Sequence, residues 1–348
     1  MIMMNQLIGA AVVGQSGGPT AVINATLAGV IRSSFSENAR SNITRLYGMR
    51  NGIEGFLAGN LVDLSQRFRT ADGSLDEDML AMLRQTPGAA LGSCRRKLPD
   101  PSVDPDFFAG LIERFRENNI RYFFYIGGND SMDTVAKLTT YLETCDYAMC
   151  VIGLPKTIDN DLPGTDHAPG YGSAAKLIAA EVQEIVRDCA VYTVPAVTVV
   201  EIMGRNAGWL TAASALPRIT GGYAPDYVYL PERVFSMHSF FNDIRAAFRR
   251  KPNIVVAVSE GLRYDDGTYV GDSAQSGAVD VFGHRYLAGT AKTLEHAVKN
   301  EFGCKVRSVE LTFRSGAVLI LPPRPISTRR KQPELPAWKQ RFLGRQDL

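Results

Sequence analysis

The sequence predicts an α/β protein made of two doubly wound parallel-sheet (Rossmann-like) domains, with ligands expected beyond the carboxyl ends of the strands. Three observations carry this expectation. The apolar runs are continuous rather than alternating, as parallel strands covered on both faces require. Each run passes through a glycine-rich turn into an amphipathic stretch. The unusual polar clusters all follow the carboxyl ends of these runs, where open parallel sheets bind ligands.

The elements follow in order. "LIGAAVV" (7–13) reads as a first buried strand, then "GQSGGPT" as a turn, then a helix from about Ala21 to Ser34. "RYFFYIG" (121–127) leads through "GNDS" into a helix over "MDTVAKLTTYLE". "YAMCVIGL" (147–154) is a third buried strand, followed by "PKTIDNDLPGTDHAPG" and a helix over "GSAAKLIAAEVQEIVRDC". "AVTVVEIMG" (196–204) and "NIVVAVSEG" (253–261) repeat the pattern. The strands fall into two groups with a boundary near residues 165–175. The divisions are 1–170, 171–314 and an atypical segment, 315–348. The stretch 264–283 is polar and contains glycine, so it is expected to be an exposed connection.

Composition narrows the class. The chain has 348 residues, 45% of them hydrophobic and 21% charged, which is ordinary globular usage and enough for two domains. Its 38 basic and 36 acidic residues leave a formal charge of +2, without the basic bias of a nucleic-acid binder. Five scattered cysteines and four histidines form no CxxC and no zinc spacing, which points to a reducing, cytoplasmic setting. The apolar start "MIMMNQLIGAAVVGQSGG" lacks a basic leader and reads as a strand rather than a signal peptide. No run is long enough for a membrane span.

The strand ends carry the chemistry. "GQSGGPTAVIN" (14–24) is either a tight turn or a phosphate cradle built from backbone N–H groups and a helix N-terminus. "GGNDS" (127–131) either caps the helix starting at Met132 or offers Asp130 and Asn129 as oxygen ligands for Mg²⁺. In "PKTIDND" (155–161), Asp159 and Asp161 would share a face of an extended segment. One can serve as a base on a hydroxyl while the other orients or binds metal. Lys156 can neutralise a phosphate. "LGSCRRK" (91–97) and "MGRNAGW" (203–209) offer Arg95 and Arg205 for phosphate recognition, or as surface arginines. Glu260 ends a strand and is either an acceptor for a substrate hydroxyl or a capping group.

In this order the clusters resemble the phosphofructokinase family, from about Leu7 to about Arg314. The motifs "PKTIDNDLPGTDHAPGYGSA" and "VVEIMGRNAGWL" are the most specific. The resemblance implies phosphoryl transfer to the 1-hydroxyl of fructose 6-phosphate with Mg²⁺, at an active site in the cleft between the two domains, in a homo-oligomer (dimer or tetramer). It implies Asp159 as general base, with Thr157, Asp161, Lys156 and Arg205 at the transfer site. Gly17, Gly18, Arg95, Asp130 and Lys156 would face the donor phosphates. Thr157, Met203, Gly204, Arg205, Glu260 and Arg314 would contact fructose 6-phosphate. The ATP-using branch generally has glycine at the positions of Asp130 and Lys156, so this pair resembles the pyrophosphate-dependent branch. Asp130 would crowd a nucleotide α-phosphate, and Lys156 would attract a compact pyrophosphate. Two positions depart from the family. Ala196 stands where a basic residue often reaches across a subunit interface, and after Arg314 the resemblance stops. An ATP-dependent kinase and a weakly active or regulatory member of the same fold are the alternatives.

Overall fold

A computed structural model of the chain describes residues 7–271 and 289–311. The nine strands among the described residues are β1 (Gly9–Gln15), β2 (Ile43–Met49), β3 (Leu61–Asp63), β4 (Ile120–Gly127), β5 (Cys150–Pro155), β6 (Ala196–Ile202), β7 (Tyr227–Tyr229), β8 (Asn253–Ser259) and β9 (Lys305–Glu310). They form a five-stranded sheet, β3-β2-β1-β4-β5, and a four-stranded sheet, β7-β8-β6-β9. All pairings are parallel except β2 with β3. Six helices have twelve residues or more: α1 (Ile23–Ser34), α2 (Pro105–Glu117), α3 (Asn129–Leu142), α4 (Tyr171–Ala190), α5 (Met237–Phe248) and α6 (Thr290–Phe302).

Strand alternation explains why both sheets are covered on both faces. In β1, Val12 packs with Phe108, Leu111 and Phe115 of α2. Its neighbours Ala11 and Val13 face the other way, against Ile23, Leu27 and Ile31 of α1. In β6, Val197 and Val199 meet α5 and α6, while Val200 and Ile202 meet Ala174, Ile178 and Val182 of α4. Each fully buried Val or Ile side chain contributes roughly 1.5–3 kcal/mol relative to exposure. The helix after the PKTIDND motif thus packs on the second sheet, although the motif itself leaves the first.

The structure corrects two expectations and leaves part of a third untested. The third strand covers Cys150–Pro155, not 147–154, and it is an edge strand whose residues are half-buried or exposed. An edge has only one paired neighbour and is not enclosed on all sides. Tyr147 instead belongs to the connection before it, buried in the core with its hydroxyl donating to the Ile120 carbonyl (2.5 Å). β2, β3, β7 and β9 were not anticipated: β2 and β9 are interrupted by charged residues, and β3 and β7 have three residues each. Within the polar stretch, 265–268 form an exposed turn; 272–283 lie outside the described residues. No helix among the described residues is long and apolar enough to cross a membrane.

Candidate active site

The carboxyl ends of β1, β4 and β5 bring three turns together. Beyond β1, Gly17 adopts a left-handed conformation (φ +75°), which a residue with a side chain reaches only with strain. A side chain there would also begin 3.4 Å from Lys156 Nζ. The Gly17 N–H does not project into the site as the phosphate-cradle reading expects; it donates to the Cys94 carbonyl (3.1 Å). The Ser93 hydroxyl donates back to the Gly17 carbonyl (2.6 Å). These bonds fasten the glycine turn to the loop that carries Arg95. Gly18 has open space beside it.

A buried polar pair supports this loop. Gln15 Nε2 donates to Asn24 Oδ1 (2.9 Å), and Gln15 Oε1 accepts from the Leu91 N–H (2.9 Å). Asn24 Nδ2 donates to the carbonyls of Thr86 and Gly88 (2.8 and 2.7 Å), and Asn24 Oδ1 accepts from Ala90 N–H (2.9 Å). Both side chains are almost fully buried and fully engaged, so the network rigidifies the backbone leading to Arg95.

Beyond β4, α3 starts at Asn129 with Gly128 as its N-cap, and no side chain caps it. The helix-cap reading of GGNDS therefore does not hold: Asn129 and Asp130 lie in the first turn of α3. Asn129 Nδ2 instead donates to Asp161 Oδ2 (3.0 Å), linking the second turn to the third.

The third turn begins where the Lys156 N–H donates to the Gly127 carbonyl (2.9 Å), extending the β4–β5 pairing by one residue. This buries the lysine to 5% exposure, directly beside the glycine turn. The Asp159 N–H is held by Thr157 Oγ1 (3.0 Å). Asn160 then turns left-handed (φ 58°), so Asp159 and Asp161 do not lie on one face of an extended segment as anticipated. Asn160 is one of the few non-glycine types that adopts this conformation readily. Its Nδ2 donates to the Asp166 carbonyl (3.1 Å) and its Oδ1 accepts from the Ala168 N–H (2.7 Å), folding 157–170 back on itself.

The second sheet supplies the opposite wall. After β6, Met203 is half-buried and Gly204 sits at φ +131°, with its absent Cβ 2.3 Å from the Ala207 carbonyl oxygen. Only glycine fits there, and the tight turn that results presents Arg205. The Gly204 N–H donates to Glu260 Oε1 (3.3 Å), and Ser259 Oγ donates to the Gly204 carbonyl (2.7 Å). Glu232 Oε1 accepts from the Gly208 N–H (2.6 Å), and Arg263 Nη2 donates to Asn206 Oδ1 (3.0 Å). Arg205 Nε is buried without a hydrogen-bond partner among the described residues.

The two walls share one electrostatic field. Burial pushes Asp159 up to about 6, with Asp161 reinforcing the shift and Lys156 and Arg205 opposing it. Burial pushes Lys156 down to about 8, with Asp159 opposing the shift and Arg95 adding to it. Burial pushes Glu260 up to about 7; the Gly204 N–H and Arg205 oppose it, and Asp159 adds to it. Asp159 and Glu260 come from different sheets, yet each feels the other's side of the cleft. Perturbed acids and a perturbed lysine in one cleft mark a functional site.

A family model for phosphofructokinase matches residues 10–310, which contain every one of these groups. The chain belongs to the phosphofructokinase family. It is 43% identical over 295 residues to a pyrophosphate–fructose 6-phosphate 1-phosphotransferase from Halomonas elongata, covering 84% of this chain and 67% of that protein. It is 34% identical over 300 residues to a sulfofructose kinase from Alkalicoccus urumqiensis, covering 86% and 71%. The crystal structure of a pyrophosphate-dependent phosphofructokinase from Nitrosospira multiformis superposes with a TM-score of 0.70 at 35% identity, covering 87% of this chain and 68% of that one.

In this phosphofructokinase Gly17, Gly18, Asn129, Asp130, Lys156, Thr157, Asp159, Asp161, Met203, Gly204, Arg205 and Glu260 follow the carboxyl ends of β1, β4, β5, β6 and β8, whereas Arg95, contrary to expectation, follows no strand and is carried by an irregular loop tied to the glycine turn. Arg314 lies outside the described residues. Sequence reasoning missed Gln15, Asn24, Asn160 and Glu232, which hold the loops rather than face the cleft. Their signal was polarity inside or beside glycine turns: an Asn between two acids, and an Asn on the apolar face of α1. The groups present fit a Mg²⁺ ion. All donors are oxygens, Asp159 Oδ1 is buried without a partner, and Asp161 stands beside it. Among the described residues no three His, Cys, Asp or Glu side chains close a cage, and Mg²⁺ typically completes its shell with water and phosphate.

Proposed function

We propose that the chain transfers a phosphoryl group from pyrophosphate to the 1-hydroxyl of fructose 6-phosphate, giving fructose 1,6-bisphosphate and phosphate, a glycolytic step. One observation carries the choice of donor: Lys156 places a buried ammonium between the glycine turn and Asp159. A compact, highly charged donor makes full use of that cation. Asp130, in the first turn of α3, adds negative charge where a longer donor would extend.

The reaction follows from the two walls. Glu260, Met203, Gly204 and Thr157 hold the sugar, with Arg314 as a further contact. Gly18, Arg95 and Lys156 hold pyrophosphate, with Gly17 shaping the turn beside Lys156. As the sugar oxygen attacks the phosphorus, Asp159 takes the hydroxyl proton, the bridging P–O bond breaks, and inorganic phosphate leaves. Arg205, from the opposite wall, stabilises the charge of the transferring group. Such transfer needs positioning and charge neutralisation more than covalent chemistry. Asp161, Asn129 and Asp130 are the oxygen donors that would hold Mg²⁺, which would neutralise the donor phosphates when bound. The halves 1–170 and 171–314 would serve the donor and the acceptor respectively, in a cytoplasmic homo-oligomer.

The test is fructose 1,6-bisphosphate formation by the purified full chain with pyrophosphate or ATP, with and without Mg²⁺. Because one relative is named a sulfofructose kinase, a parallel arm supplies sulfofructose. The expected result is Mg²⁺-dependent product with pyrophosphate and fructose 6-phosphate, at least tenfold above ATP in kcat/KM. A preference for ATP, or for the sulfonate, would overturn the assignment of donor or acceptor.

A further inference from the structure

Glu201 is a carboxylate with no access to solvent, in the central strand β6 of the second sheet. Strand alternation sends Val197, Val199 and Glu201 to the same face, and that face packs on Ala291, Leu294 and Val298 of α6. A valine would suit this position better on hydrophobic grounds. The acid instead reaches the start of α6: its Oε2 accepts from the Ala291 N–H (2.8 Å), and the Gly289 N–H also stabilises the carboxylate. Burial pushes Glu201 up to about 7, so the placement carries a real desolvation cost.

Stability alone does not account for this arrangement. The N-cap of α6 is Gly289, which has no side chain to offer. A Ser or Asp at that position would cap the helix locally, without a buried acid. A cap that rises from β6 does something a local cap does not: it fixes the helix start against the strand. The first residue of the helix then reaches the backbone of Glu260. Thr290, 1% exposed, donates its hydroxyl to the carbonyl of Glu260 (3.1 Å). The Glu260 N–H donates to the Ile202 carbonyl (3.0 Å), one residue beyond Glu201, and the Glu260 carboxylate accepts from the Gly204 N–H.

We infer that Glu201 is a positioning residue for the acceptor site: it anchors the start of α6, and Thr290 passes that anchor to the backbone of Glu260. The inference rests on the reading of Glu260 as a fructose 6-phosphate contact. It assigns Glu201 and Thr290 to sugar affinity rather than to the chemical step, because neither faces the transferring phosphoryl group.

The test measures KM for fructose 6-phosphate, KM for pyrophosphate, kcat and Tm in four variants of the full chain. Thr290→Val keeps the shape and removes one hydrogen bond; its KM for fructose 6-phosphate should rise about fivefold to tenfold, with KM for pyrophosphate and Tm held. Glu201→Val should raise the same KM further. Glu201→Gln retains an oxygen for the Ala291 N–H and should stay within about twofold of wild type. Glu260→Gln is the control for the underlying reading. If Glu260→Gln raises this KM while Thr290→Val and Glu201→Val move only Tm, the inference fails alone. If Glu260→Gln leaves the KM unchanged, the reading of Glu260 fails and the inference with it. Should Glu201→Val not fold, Thr290→Val decides.

Discussion

Replacing Lys156 with Met should stabilise the fold while disabling pyrophosphate use. Lys156 is 5% exposed, and its folded-state pKa is lowered from 10.5 to about 8. The sign follows from proton uptake. Between pH 8 and 10.5 the unfolded chain binds more protons than the folded one, so stability rises with pH across that window. Below pH 8 the destabilisation is complete. At 1.36 kcal/mol per pKa unit, holding this ammonium in the folded state costs about 3 kcal/mol. Methionine has a similar length, no charge and a flexible stem that fills the same channel.

Chemical denaturation at pH 7 should therefore give Lys156→Met a stability about 2–3 kcal/mol above wild type. Near pH 10.5 the difference should shrink towards zero. The kinetic effect is opposite. Removing one preorganised charge from a transferring phosphoryl group costs about 10²–10³-fold in turnover. Lys156 also holds Asp159 down, so its loss moves the carboxyl above about 6 and leaves less of it ionised, and so less of it available as a base, at neutral pH. The assay is kcat/KM for pyrophosphate beside a denaturation curve on the same preparation. A variant that keeps its activity, or loses stability at pH 7, would refute the reasoning that this lysine is buried for function rather than for folding.

Three further outcomes are expected. Asp159→Asn should keep both KM values within a few-fold and lose about 10²–10⁴ in kcat; near-normal turnover in a steady-state assay would remove Asp159 as the base. Asp130→Gly should raise kcat/KM for ATP about tenfold or more by removing a like charge and opening the first turn of α3; unchanged ATP use would show that Asp130 does not exclude nucleotides. Asn160→Ala loses two hydrogen bonds and a residue suited to φ 58°, at about 1 kcal/mol each; kcat/KM and Tm, measured together, should both fall.

Much of this architecture is written locally in the chain. Continuous valine and isoleucine runs announce β1, β6 and β8, because strands enclosed on both faces tolerate little else. Glycine turns after them announce the site, because only such turns bring backbone close to ligands. What is not legible is long-range. β9 reads "KVRSVE", and only its pairing with β6 makes it a strand. Asn24 looks like a polar residue on a helix face until Thr86 and Gly88, more than sixty positions away, supply its acceptors. The edge position of β5 likewise depends on sheet order, which no local pattern encodes. The same limit hid the Asn129–Asp161 bond, which joins residues 32 apart and draws Asn129 towards a carboxylate.

The distribution of charge across the two walls makes one more outcome calculable. Lys156, Arg95 and Arg205 stand against Asp159, Asp161 and Glu260, three cations and three carboxylates whose charges influence one another. With Asp130 in the first turn of α3 as a fourth carboxylate, the cleft has no excess of positive charge before substrates bind, and burial pushes Asp159, Glu260 and Lys156 towards their uncharged forms. Pyrophosphate and a sugar phosphate both arrive as anions. Added negative charge raises the pKa of every group nearby, acid or base. In the loaded site Asp159 becomes a stronger base and Lys156 a more secure cation. The profile of kcat/KM, which reports the free protein, should fall as pH drops through about 7 to 6, where Glu260 and Asp159 take up protons. It should fall again as pH rises through about 8, where Lys156 loses its proton. The profile of kcat, which reports the loaded site, should have both limbs displaced to higher pH. Measuring both profiles from pH 5 to 10 decides the matter: coincident limbs would mean that the substrates' charge does not reach Asp159 and Lys156, and the shared field of the two walls would be the wrong description of this cleft.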